Sequence, residues 1–358
     1  MSAFGMHRRR KAHTEIVMAR QLNSILGGAA LAALLIAGEA HAAADRTWVS
    51  RPAQTFNTHA LAMDHIIGDV TVNVNNGGPM SVQVSGPSDL VNDTRATQSG
   101  DTLRITGPEH WGNHFSVWDV SKWFDYSDIE NRSKLKLTIG VPRGSDVSMN
   151  KQIGDVTMGD TMGHVALETI SADVRIGRVR DASVKIVGGG DVSIANVDGT
   201  LSLSVAGSGD VRVGNTGNAS ISIAGSGDSS LGTVGSLNAD IAGSGDLLVK
   251  NVNGPVSVSM AGSGDTKIVG GKANPLKISI VGGGDFVFGG QAVDPSISAI
   301  GSGDVWIKSY TGNLSTSGMA DVHIGGKDFP GIKMPPMPAA PPAPHAPPAP
   351  PAPPQHHG

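Results

Sequence analysis

The most regular ionisable groups in the chain are ten aspartates: Asp155, Asp173, Asp191, Asp210, Asp228, Asp246, Asp265, Asp285, Asp304 and Asp321. Each closes a short turn, mostly of glycine, and nearly all precede an alternating apolar stretch. The intervals are 18, 18, 19, 18, 18, 19, 20, 19 and 17 residues. A column of carboxylates is raw material for calcium binding. Calcium solenoids, however, use a G-G-x-G-x-D-x-U-x repeat, two copies to a turn. Here aspartate follows its turn directly and occurs once per repeat, so half the ligands are missing. The reading adopted is structural: each carboxylate caps backbone N–H groups of its own turn. Carboxylates about 5 Å apart would repel by roughly 0.8 kcal/mol per neighbour in water, so the column must be solvated, staggered or paired. Arg175, Arg212 and Lys267, each two residues beyond an aspartate, are the candidate partners, worth about 0–1 kcal/mol apiece at a surface.

The second chemical signal is aromatic. His110 to Tyr126 (HWGNHFSVWDVSKWFDY) holds Trp111, Phe115, Trp118, Trp123, Phe124 and Tyr126, six of the chain's 14 aromatics. Two uses fit: a cap folded over the open end of a repeat array, or an arm presenting rigid aromatic anchors to a partner. Trp111, Phe115, Trp118, Trp123 and Tyr126 are therefore binding candidates. Trp306 joins them, on an outward column that ends at His323; its alternative task is to cover a neighbouring loop near Tyr310. Phe286 and Phe288 have inward parity and belong to the core. His110 and His114 are spaced for a metal, but two histidines without a third defined ligand do not make a site. No metal site, catalytic residue or cofactor is assigned: the turn serines recur as scaffold, and no nucleophile elbow, phosphate loop or zinc spacing is present.

A repeat near 19 residues implies one supersecondary unit copied along an axis. Leu201 to Val205, Ala206-Gly207-Ser208-Gly209-Asp210, Val211 to Val213 and Val256 to Met260, Ala261-Gly262-Ser263-Gly264-Asp265, Thr266 to Ile268 show the unit: two short strands joined by a glycine turn, closed by a looser Asn/Gly turn. Apolar side chains at period two stack on those one coil away, each worth about 1.5–3 kcal/mol if fully buried. The expectation is an all-β parallel β-helix, a solenoid of about 18–20 residues per coil, capped by a more irregular N-terminal β region. Nine intervals at roughly 4.8 Å give about 43 Å.

The chain divides into a basic leader with a signal peptide (1–44), an N-terminal β region with the aromatic insert (45–150), the solenoid (151–327) and a proline-rich disordered tail (328–358). The leader carries a 13-residue apolar run, Ile25 to Ala37, then Ala40-His41-Ala42; a spanning helix needs roughly 20 residues, so a cleaved secretory signal is expected. Val70 to Val74 and Met80 to Val84, separated by Asn75-Asn76-Gly77-Gly78-Pro79, read as a hairpin. Cysteine is absent, and a net charge of −4 argues against nucleic acid as a partner.

With its repeated Gly-Ser-Gly-Asp turns, the opening Thr55 to Thr58, Val70 to Val74, Val82 to Val84, Gly100 to Ile105 and Lys134 to Pro142, the chain resembles the putative auto-transporter adhesin head (GIN) domain family over about residues 55–326. That resemblance implies an exported all-β head with no established enzymatic activity. The leading expectation is a non-enzymatic module in the periplasm or on the surface of a Gram-negative-type bacterium. It would bind an envelope or extracellular protein or glycan and have no transmembrane span in the mature chain. A glycan-active enzyme on a β-helix and a calcium-stabilised passive rod are the alternatives.

Overall fold

The computed structural model describes residues 47–107 and 134–325, which from Trp48 onward belong to one compact unit. The leader, the aromatic segment with Trp111, Phe115, Trp118, Trp123 and Tyr126, and the tail lie outside the described residues.

The chain runs through β1 (Trp48–Ser50), β2 (Gln54–Phe56), β3 (Ala60–Asp64), β4 (Gly68–Asn75), β5 (Met80–Pro87), a helix α1 (Ser88–Asp93), β6 (Arg95–Ser99) and β7 (Thr102–Thr106). It continues with β8 (Leu135–Pro142), β9 (Asp146–Ile153), β10 (Val156–Met158), β11 (His164–Ser171), β12 (Val174–Val179), β13 (Asp181–Gly188), β14 (Val192–Gly207), β15 (Val211–Val213) and β16 (Thr216–Gly225). The last elements are β17 (Ser229–Gly243), β18 (Leu247–Gly262), β19 (Thr266–Gly282), β20 (Phe286–Val293), β21 (Ser296–Gly301), β22 (Val305–Thr311), β23 (Ser315–Gly318) and β24 (Val322–Ile324).

These strands stack as a parallel β-solenoid. One side follows each aspartate: β8, β4, β10, β12, β14, β15, β17, β18, β19, β20, β22 and β24 pair in that order, all parallel. The other side leads into each glycine turn and runs β7, β3, β9, β11, β13, β14, β16 to β19, β21 and β23. The looser turn between the two sides is itself paired in β14, β17, β18 and β19, which therefore run 15–17 residues without a break.

Period-two alternation puts one aliphatic set inside. Val192, Ile194, Val211, Val213, Leu247 and Val249 on the first side, and Leu201, Leu203 and Val205 on the second, are at most 2% exposed. Phe286 and Phe288 are fully buried, in line with their parity. Apart from register shifts at the looser turns and in the β9–β11 pair, in-register pairing places each inward side chain over its counterpart, so the core is continuous.

The glycine corner sets how closely coils approach. Gly207, Gly225, Gly243, Gly262, Gly282 and Gly301 have φ of 136–147°, which side chains with a Cβ avoid. A Cβ on any of them would also overlap the carbonyl oxygen of the matching glycine one coil earlier. Two requirements therefore coincide at one residue type.

The N-terminal strands are not laid down in sequence order. β3 and β4 form a coil lying between the later coil β9/β10 and the coil made by β7 and β8. The expected hairpin between Val70–Val74 and Met80–Val84 does not form. β8 lies between them, parallel to β4 and antiparallel to β5; the linker 76–79 crosses over it. A turn of the right composition is compatible with a hairpin but does not dictate one, because β4 gains two parallel neighbours instead. The rod's first edges are closed by antiparallel strands, β5 with β1 and β2 on one side and β6 on the other. Short helix α1 joins β5 to β6 and buries Val91 completely.

Gly225→Ala is expected to destabilise the rod by about 1–3 kcal/mol from backbone conformation alone, and more from overlap with Gly207. Ser226→Ala, on the exposed residue beside it, should stay within about 0.5 kcal/mol. Denaturant melts of the two variants provide the check.

Candidate functional site

The aspartate column is a hydrogen-bond ladder between coils. The Oδ1 of eight of the carboxylates accepts the backbone N–H of the aspartate one coil later: Asp69 from Asp155, Asp173 from Asp191, Asp191 from Asp210, and so on to Asp285 from Asp304, at 2.8–3.4 Å. In return, the carbonyl of each later aspartate accepts the N–H of the residue following the earlier one. This holds at every step from Val70/Asp155 to Val305/Asp321, at 2.8–2.9 Å. Capping within each aspartate's own turn is thus corrected: the carboxylate reaches across the gap, because stacking in register brings the next coil's amide within hydrogen-bond distance of its oxygen.

Asp69 is a member of the column that the regular spacing hides. Ile67-Gly68-Asp69-Val70-Thr71-Val72 matches Ile153-Gly154-Asp155-Val156-Thr157-Met158 in sequence and sits directly beneath it. The separation of 86 residues removes it from the 19-residue count; the motif itself was the available signal.

Two carboxylate bonds are missing, Asp155 to the Asp173 amide and Asp304 to the Asp321 amide, while the backbone bonds there persist. In both cases alanine replaces the glycine before the later aspartate, as Ala172 and Ala320. Glycines in that column, such as Gly209, Gly227, Gly245 and Gly303, approach the carbonyl of the glycine one coil earlier so closely that a Cβ would overlap it. An alanine must stand off, and the following amide moves out of the carboxylate's reach.

Other corners use the same device. Asp146, Asp160, Asp181 and Asp294 cap the amides of His164, Arg178, Thr200 and Asn313 at 2.7–3.0 Å. Asn196 and Asn215 do so without charge, for Asn215 and Thr233 at 2.9 Å. Negative charge is not what the ladder needs; an oxygen acceptor is. The Thr200 amide, and then the Arg180 guanidinium, hold Asp181 below the usual carboxylate range.

The proposed cationic partners divide. Arg212 lies 3.3 Å from Asp210 and 3.9 Å from Asp191, and Lys267 lies 2.8 Å from Asp265. That hydrogen bond first, with Asp246 and Asp285 adding to it, raises Lys267 above the ordinary ammonium range. Arg175 forms no ion pair among the described residues.

The column of outward residues two beyond each aspartate ends in a compact corner. Trp306, partly buried, stacks on His323 with ring centroids 3.9 Å apart and planes 18° from parallel. Its neighbour one coil earlier, Val287, is only 4% exposed although it points outward. Tyr310 is 39% exposed. Trp306 thus stands between Val287 and His323 in its column. One donor atom each from Asp304, Asp321 and His323 lie within 4.8 Å of one another. Of the sequence-derived binding candidates, Trp306 alone falls among the described residues.

The sequence model of one family, described as putative auto-transporter adhesin, head GIN domain, matches residues 65–255, more than half the chain. Among solved structures, a putative adhesin from Parabacteroides distasonis aligns at 13% identity, covering 78% of this chain and 98% of its own, with a TM-score of 0.38. One from Bacteroides fragilis aligns at 16% identity over 78% and 96%, with a TM-score of 0.30. A putative lipid binding protein from Parabacteroides distasonis aligns at 10% over 78% and 97%, at 0.31. No curated protein matches the chain.

Gly245→Ala should free the Asp246 amide from Asp228 and speed its hydrogen exchange by about tenfold for each 1.4 kcal/mol lost; Ala320→Gly should slow exchange at Asp321. Since the interior carboxylates serve as acceptors, excess calcium or a calcium chelator should leave the melting temperature unchanged, as a differential scan would show.

Proposed function

The chain belongs to the family of putative auto-transporter adhesin head GIN domains, and from that premise we propose that it is a non-enzymatic, exported β-helical head that binds a cell-envelope or extracellular partner, protein or glycan. The observation that carries the reading is Trp306. It stands at the end of an outward column, locked in place by His323, on strands whose backbone is bonded to coils on both sides. A large, pre-oriented aromatic loses little freedom on binding and so makes an efficient anchor. The employment of the column's carboxylates in backbone capping favours a scaffold over a catalytic surface.

Export is supported by the apolar run Ile25 to Ala37 behind Arg20. Among the described residues no helix is long and apolar enough to cross a membrane. The destination is the periplasm or the cell surface of a Gram-negative-type bacterium. Trp111, Phe115, Trp118, Trp123 and Tyr126 supply a second set of anchors in this reading, and the proline-rich tail acts as a spacer of roughly 3.1 Å per residue.

Binding of the purified chain to isolated cell envelopes is the test. Trp306→Ala should weaken it by about 30-fold, the scale of a 2 kcal/mol hot spot. Trp111, Trp118 and Trp123 changed together to Ala should abolish it with the strand signal in circular dichroism intact. Unchanged binding in both variants would sink the proposal, as would turnover of a polysaccharide that is lost in Asp304→Asn.

A further inference from the structure

We propose that Asp304, Asp321 and His323 form a site for a first-row divalent cation of the zinc class at the last described corner of the rod. Among the described residues they are the one set of three potential ligands whose donor atoms lie within 4.8 Å of each other. They come from two successive coils, and three features of the corner suit them to this use.

The first is the release of Asp304. In the seven steps from Asp173 to Asp304 the earlier carboxylate is occupied by the next amide. At Asp304 it is not, because Ala320 holds the final corner away. The carbonyl bond from Asp321 to Val305 remains, at 2.9 Å, so the coils stay stacked while the two carboxylates are left to face each other.

The second is the residue beside them. Inside the array the position two beyond the aspartate can supply a cation to the column: Arg212 lies against both Asp191 and Asp210, and Lys267 against Asp265. At the last described corner that position is His323, and an imidazole nitrogen can offer a lone pair to a metal. This pair of carboxylates thus has a nitrogen donor where the pair Asp191 and Asp210 has a guanidinium.

The third is orientation. The imidazole is stacked on Trp306, with ring centroids 3.9 Å apart and planes 18° from parallel, which favours one ring orientation before an ion enters. Ligands of one tetrahedral zinc ion sit about 2.0–2.2 Å from it, hence about 3.5 Å from each other. Donor atoms now within 4.8 Å of one another would close by up to about an ångström, a distance within the reach of side-chain rotation. An imidazole with two carboxylates suits zinc and its neighbours over calcium, which takes six to eight oxygens. Asp155, the other carboxylate released by an alanine, has Arg175 at the corresponding position and belongs to no such set.

Titration of the full chain with zinc chloride by isothermal calorimetry is the experiment, and partner binding plays no part in it. His323→Ala, and Asp304→Asn with Asp321→Asn, should each remove one zinc equivalent per chain or weaken it at least about 100-fold. Loss of a mere outer-shell partner costs about 10–100-fold, and Trp306→Ala should fall in that range. His345, His356 and His357 remain in every variant, so any site they form contributes equally throughout. His323→Gln, which keeps a polar side chain on the strand, repeats the test should His323→Ala alter the circular dichroism. Equal stoichiometry and affinity in wild type, His323→Gln and the double asparagine variant would overturn the site, as would a wild-type chain that takes up no zinc.

Discussion

Everything in this rod depends on how near one coil's backbone comes to the next at the glycine corner. Two glycine columns pass within overlap distance of the preceding carbonyls, and that proximity fixes the register of both sides of the solenoid. In-register strands then align their inward aliphatics into an uninterrupted core, and the amide of each aspartate falls within reach of the carboxylate before it. Steric permission comes first, burial second, and the polar ladder is a by-product of both. The two alanines that intrude, Ala172 and Ala320, show the order of causes. They leave the backbone bond and the core in place and remove only the carboxylate contact.

The architecture was legible because its causes are local and repeated. Glycine before aspartate, alternation after it and a near-constant interval are each visible in the chain, and Phe286 and Phe288 could be placed by parity alone. What escaped was non-local. Asp69 belongs to the column but stands 86 residues from its structural successor. The Asn75–Pro79 turn has hairpin composition, yet the strand that pairs with β4 arrives from residue 135. Helix α1 is six residues long and is held by what it covers more than by its own propensity. The destination of each carboxylate was misread for a similar reason: from sequence the nearest amides are those of its own turn, whereas stacking in register brings the next coil's within hydrogen-bond distance. Trp306 could be placed on the outward column, but its stacking partner lies one coil on.

The corner at Trp306 differs from the rest of the surface in kind. Along the array, aspartate and asparagine are interchangeable as acceptors, so charge there is incidental and is met by solvent, Arg212 or Lys267. At the last described coil an alanine precedes the aspartate, a histidine takes the position that Arg212 and Lys267 hold in their coils, and a tryptophan stacks on it. Three departures from the repeat coincide at one place. Among the described coils of the regular array, such coincidence concentrates chemical individuality at this corner.

The out-of-order placement of the coil formed by β3 and β4 has a consequence for how the rod is assembled. The coil formed by β3 and β4 has two flanks: strands β7 and β8 occupy one, and β9 and β10 the other. The first flank is then covered by the antiparallel strands β5 and β6, so the regular glycine-turn coils continue from the second flank alone. The long, self-similar portion thus has a single direction in which to extend.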